Sequence, residues 1–187
     1  MQNFLESYFE EYRKLLTSDD AFSKIEKFKN IAQKVKEQNA KLIFAGNGAS
    51  ASISNHGAVD FTKSAKVNGI TFNEANLISC LANDYGFDKW ISKAIEFYAK
   101  ENDVIVLTSV SGASPNVVDA AKFSREKGLY VVSFSGRDND NPLRLNSDLS
   151  FWVDSHSYNI VECLHMIWMT SAIDLLIGKS VYETNFR

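Results

Sequence analysis

Two short loops carry the residues in this chain best suited to chemistry. The first reads Gly46-Asn47-Gly48-Ala49-Ser50, directly after an apolar run. The second, Ser109-Val110-Ser111-Gly112-Ala113-Ser114, closes another apolar run further on. Small residues let backbone approach an anion, hydroxyls and amides donate to it, and a helix beginning there adds positive partial charge. Read together, the loops are strand-to-helix turns that hold a phosphate, with Asn47, Ser50, Ser109, Ser111, Gly112 and Ser114 as candidate ligands. For either loop alone, a plain structural turn is the competing reading. Neither loop is a nucleotide motif: Gly-x-x-x-x-Gly-Lys is absent, and so is the third glycine of a dinucleotide fingerprint. A small phosphorylated molecule is the expected ligand.

The three histidines fall where a pocket over the strand ends would be. His56 and Asp60 are four residues apart on the helix expected after the first loop, so they share a face. His165 follows Glu162 on the last helix, and His156 precedes that helix. Such groups over a phosphate site can move protons or bind a divalent metal; the metal candidates are His56, Asp60 and His165. The competing reading makes His56 and His165 packed core residues. Asp60 on a pocket-facing helix needs a partner. Lys63 and Lys66 either neutralise a phosphate or are solvated.

Positioning these groups requires strands that end in the loops. Apolar runs predict strands at Leu42–Ala45, Ile70–Phe72, Val104–Thr108, Tyr130–Ser135 and Leu149–Val153. Helical spacing predicts helices over 4–17, 20–39, 50–66, 77–82, 88–100, 115–127 and 158–178. Strands apolar on both faces, alternating with helices, indicate a parallel sheet covered on both sides, an α/β fold. Ser114-Pro115 reads as an N-cap with proline at the first helical position, and Gly128 as a helix terminus. Residues 136–147, rich in Asn and Asp, read as the one obvious loop. The two leading helices precede the βαβ rhythm. Their aromatic stripe of Phe4, Tyr8, Phe9 and Tyr12 either lies on the domain or, the preferred reading, packs against a second subunit.

The chain of 187 residues suits a single domain over 1–187, with 1–39 an oligomerising helical segment and 40–187 the α/β core. A net charge of −3 excludes a diffuse basic surface, so nucleic acid is not the expected partner. No apolar run is expected to span a membrane and the charged N-terminus is not a signal peptide, which points to the cytoplasm. Cys80 and Cys163 match no metal or redox spacing and are expected to be buried free thiols.

The loops, the segment Ile78-Ser79-Cys80…Asn83-Asp84-Tyr85-Gly86, Glu126-Lys127-Gly128 and the histidine-bearing last helix resemble the sugar isomerase (SIS) domain, and its phosphoheptose isomerase branch in particular. The resemblance covers nearly the whole chain. It implies a flavodoxin-like three-layer α-β-α sandwich with a five-stranded parallel sheet plus N-terminal helices. It also implies an aldose–ketose isomerase that forms an enediol from a sugar phosphate such as sedoheptulose 7-phosphate, and a homo-oligomer, most simply a tetramer. Phosphate-binding serines then fall on Ser50, Ser109, Ser111 and Ser114, and a pocket-lining aspartate on Asp84. The branch's His-x-x-x-Glu falls on His56 and Asp60, a shorter carboxylate. Its Gln and His of the last helix fall on Val161 and Met169, which neither coordinate a hard metal nor shuttle a proton. His165 lies midway between them on the same helical face and is the expected replacement. The resemblance thus assigns Asp60 as general base and His165 (or His56) as general acid. No cofactor is required, with zinc an option because some members gather four such residues around it. The alternative, suggested by Val161 and Met169, is a non-catalytic SIS module that binds a sugar phosphate or a partner, like the family's replication-initiator-associating protein.

Overall fold

The computed structural model describes residues 2–17 and 19–180; Met1, Ser18 and residues 181–187 of the expected domain lie outside them. Five strands, β1 (Leu42–Gly46), β2 (Gly69–Thr71), β3 (Val104–Ser109), β4 (Tyr130–Gly136) and β5 (Leu149–Val153), form one parallel sheet in the order β2-β1-β3-β4-β5. Each predicted strand is present, with ends displaced by no more than one residue. Among the described residues, eight helices surround the sheet: α1 (Gln2–Leu16), α2 (Asp19–Glu37), α3 (Ala49–Lys63), α4 (Ala75–Tyr85), α5 (Trp90–Tyr98), α6 (Pro115–Glu126), α7 (Pro142–Leu145) and α8 (Tyr158–Ile177).

Strand alternation sends side chains to two separate cores. Leu42, Phe44, Val104, Val106, Val132 and Phe134 face the layer of α2, α3 and α8. Ile43, Ala45, Ile105, Leu107 and Val131 face that of α4, α5 and α6. The result is the three-layer α-β-α sandwich. Burial on both faces is why the strands carry no polar alternation.

The α2 helix departs from the expected division of the chain. Its Ala21, Ile25, Phe28, Ala32 and Val35 are buried, and Phe28 meets Phe61, Phe134 and Phe151 edge-on. It is a core layer, so residues 1–39 are not one separable oligomerising segment. The α1 helix, by contrast, buries none of its residues. It lies on α8 through partly buried Tyr8, Tyr12, Leu15 and Leu16, while Phe4 and Phe9 remain 66% and 60% exposed.

Four local expectations need correction. The α4 helix starts two residues early because the Glu74 carboxylate caps the amides of Asn76 and Leu77. The 136–147 loop contains α7, started by Pro142 and capped when the Asn141 side chain accepts from the Arg144 amide. Both cysteines are exposed free thiols rather than buried ones, because they occupy the outer faces of α4 and α8. Contrary to expectation, α8 is also long and apolar enough to cross a membrane. Ile160, Val161, Leu164, Trp168, Met169, Ala172 and Ile173 of α8 are buried in the core, which accounts for that composition.

Candidate functional site

The strand order creates the site. β1 pairs with β2 on one side and β3 on the other, so the connections leaving β1 and β3 diverge at their carboxyl ends. Ligands of open α/β sheets bind in the crevice at such a reversal. A cavity of about 230 Å3 lies there, walled by residues 47–50, by Ser109, Val110, Ser111 and Ser114, and by Tyr158 and Glu162 of α8. Both sequence-predicted loops thus meet around one hollow.

Local chemistry shapes each loop. Gly46 sits against the Thr108 carbonyl and the backbone of Ser50, which a Cβ would approach to 2.8 and 2.9 Å. Its bare Cα lets the first turn of α3 fold over the strand ends. The amides of Ala49 and Ser50 have no backbone acceptor; the next, Ala51, bonds to Asn47 and Gly48. Two donors and the positive end of α3 therefore stand at the cavity wall. Ser114 occupies the N-cap of α6, but its hydroxyl makes no capping bond and instead pairs with the Ser109 hydroxyl at 3.1 Å. That pair can rotate its protons toward an anion.

Two predicted ligands brace the site instead of presenting groups to it. Asn47 lines the cavity, yet its side-chain amide is spent on reciprocal bonds of 2.9 Å with Asn116, clasping the first loop to α6. Gly112 is off the wall. Its amide closes a turn onto the Ser109 carbonyl at 3.0 Å, its φ is +61°, and a Cβ would fall 1.9 Å from Asn141 Oδ1. No lysine or arginine reaches the wall, and Lys66 instead bonds to the Lys63 carbonyl. Neutral donors and helix termini supply the positive potential.

The expected acid–base groups are not brought together. His56 Nε2 stands 3.0 Å from Asp60 Oδ2, which gives Asp60 its partner, but neither residue is on the cavity wall. Val161, His165 and Met169 share one face of α8, as their spacing predicts, and that face points into the core: all three are fully buried. His165 Nε2 lies 3.0 Å from the Ser135 carbonyl, so it carries the proton and donates, while Nδ1 is buried without a partner. The ring stands edge-on to Phe134. Burial pushes its pKa down to about 4, against the upward pull of the Ser135 bond, so the imidazole is neutral at pH 7. It is a core histidine and not the general acid. Asp84 is exposed near the end of α4, beside Asn83 and away from the cavity. His156 is exposed, 3.9 Å from Asp138.

These positions do not fit a zinc centre. Among the described residues no three His, Cys, Asp or Glu side chains cluster. His165 is committed to a carbonyl, leaving the His56–Asp60 pair alone. The Met169 sulfur fills the space a Cβ on Gly57 would need, 2.3 Å away, so the α3–α8 contact is closed by packing. Of the two α8 residues on the wall, sequence reading named Glu162 only as the neighbour of His165 and did not single out Tyr158. Their spacing of four on α8 places them on one face, which was the available signal.

A larger cavity of about 620 Å3 opens among α2, α5 and α6, at the first residues of β3 and β4, Val104 and Tyr130. That is the amino end of the sheet, opposite the edge where ligands of this architecture bind.

Comparison with known proteins agrees with this fold. The SIS domain profile matches residues 7–136. A phosphoheptose isomerase of Fusobacterium nucleatum is 30% identical over 173 residues, spanning 88% of this chain and 89% of the relative. A probable phosphoheptose isomerase of Thermoplasma acidophilum is 33% identical over 152 residues, 76% of this chain and 82% of the relative. The phosphoheptose isomerase structure from Neisseria gonorrhoeae superposes with a TM-score of 0.82 at 22% identity, over 95% of this chain and 98% of that one, and so shares the fold. The chain belongs to the SIS domain family, in its phosphoheptose isomerase-like branch.

Proposed function

We propose that this protein is an aldose–ketose isomerase that anchors its sugar by the phosphate in the hollow between the loops after β1 and β3. A ketose phosphate of the sedoheptulose 7-phosphate type is the substrate class, in line with the relatives' names. One observation carries the reading. Serine hydroxyls and unpaired helix-terminal amides converge at the strand reversal without any cation. Such a site fixes one end of a substrate and leaves the carbonyl end free to reach a base. The reaction moves a proton between adjacent carbons through an enediol. Solvent deuterium incorporation at the carbon next to the carbonyl tests it: label in recovered sugar phosphate is the expected result, and tight binding without label contradicts it.

The second reading, a sugar-phosphate-binding module without catalysis, is favoured by one observation. Val161 and Met169 are apolar and buried where the branch carries Gln and His. The same experiment separates the two.

A cytoplasmic homo-oligomer, a tetramer, completes the proposal. The outward face of α1, with Phe4, Leu5 and Phe9 exposed, is the surface for a second copy. Removal of residues 1–18 should shift the protein to a smaller species in sedimentation. An unchanged mass would refute the role of α1.

A further inference from the structure

We propose that Glu162 is the catalytic carboxylate of this site, in the role the family resemblance gives to Asp60. The inference rests on the isomerase reading and deepens it. Among the residues walling the phosphate hollow, Glu162 is the only carboxylate, and no His, Lys or Arg accompanies it. It stands four residues after Tyr158 on α8 and is partly exposed, where its neighbours Val161 and His165 are buried. Among the described residues it accepts no hydrogen bond and joins no ion pair. Asp60, by contrast, is tied to His56 Nε2 at 3.0 Å and lies off the wall.

An unpartnered carboxylate beside an anion-holding hollow works against binding, because like charges repel. A protein that only had to hold a sugar phosphate would be better served there by glutamine, which donates. The position makes chemical sense when the carboxylate acts on the substrate. With the phosphate on the serine loops, Glu162 removes the proton from the hydroxyl-bearing carbon next to the carbonyl. The C–H electron pair becomes the C=C bond of an enediolate, and the carbonyl π pair moves onto its oxygen. The proton of the neighbouring hydroxyl then passes to that oxygen, leaving the charge on the second oxygen. As the second oxygen reforms a carbonyl, the former carbonyl carbon takes the proton back from Glu162. One C–H bond breaks and one forms, the carbonyl changes carbon, and no oxidant, reductant or further base is needed. One carboxylate serving both carbons is general acid–base catalysis, a contribution of about 10²–10⁴-fold.

The test compares the full chain with Glu162→Gln and Glu162→Asp. Deuterium exchange into sedoheptulose 7-phosphate is measured beside inorganic phosphate binding and thermal melting. The account expects Gln to lower exchange by about 10²–10⁴-fold while phosphate binds as well as, or several-fold more tightly than, in the parent. Asp keeps the carboxylate one methylene back and retains a measurable intermediate rate. Gln lowering kcat without raising KM separates chemistry from anchoring. Exchange by Glu162→Gln at the parent rate overturns the assignment. So does a tenfold loss of phosphate binding in that variant, which would make Glu162 a structural or binding residue. A parent that binds sugar phosphate yet exchanges no deuterium overturns the isomerase reading, and this assignment with it. If Gln fails to fold, an Asp variant with parental melting and an intermediate exchange rate supports the carboxylate, and one with parental exchange or with none counts against it.

Discussion

The hollow at the ends of β1 and β3 and the contact between α3 and α8 are built from opposite materials. The hollow keeps hydroxyls, bare amides and one carboxylate. Across the helix contact, Met169 nests over Gly57, and Val161 and His165 are fully buried. The family resemblance places phosphate binding in the first region and acid–base groups in the second. The contrast teaches that anchoring and chemistry are separable loads on this fold. The loops are fixed by topology and backbone approach, as Gly46 against Thr108 shows, so their residues have little freedom. The helix faces can exchange polar groups for packing, provided volume is conserved.

The largest effect that would break the comparison concerns His165. Its folded pKa of about 4 lies below the ordinary histidine value of 6.5. Between those values the unfolded chain binds a proton that the folded chain does not, so stability rises with pH. This contribution is complete above pH 6.5, declines as pH falls, and levels off below pH 4, a change of about 3 kcal/mol. His165→Leu should flatten that window in urea unfolding followed against pH, and should leave deuterium exchange intact. Exchange lost in a folded His165→Leu protein would return the residue to the chemistry.

A smaller effect sharpens the packed side. Gly57→Ala drives a methyl toward the Met169 sulfur and should cost about 1–3 kcal/mol, partly offset by helix propensity. In a Met169→Ala background the same substitution should stabilise, because it fills part of the cavity left behind. Denaturant unfolding of the four proteins measures this reversal of sign, and simple additivity would argue against the contact.

The smallest effect tests the polar side. Ser109→Ala or Ser114→Ala removes one donor and should weaken sugar-phosphate binding by about 1 kcal/mol, roughly fivefold. Melting temperature should barely move. Calorimetric titration that found unchanged affinity in both would deny the pair its role.

How legible each region was follows the same divide. The strands and both loops stood out because buried apolar runs end abruptly in Gly and Ser, and ends fixed by ladder pairing cannot drift. The α4 start was missed because a glutamate served as its cap, and α7 because Asn141-Pro142 reads equally well as a turn. The α8 helix resisted reading for a different reason. Spacing correctly grouped Val161, His165 and Met169, but the helix is apolar nearly all round, with even Ile167 and Leu175 exposed. Periodicity tells which residues share a face, and only a polar face tells which way it points. The same ambiguity concealed the exposure of Cys163 and hid Tyr158 as a wall residue.

Amide chemical shifts recorded during titration with sedoheptulose 7-phosphate test the central claim most directly. The account predicts saturable shifts at Gly48–Ser50 and Ser111–Ser114, reproduced in part by inorganic phosphate, with Lys100 to Val104 at the other end of the sheet unmoved. Shifts confined to that opposite end, or none at either loop at saturating ligand, would contradict it.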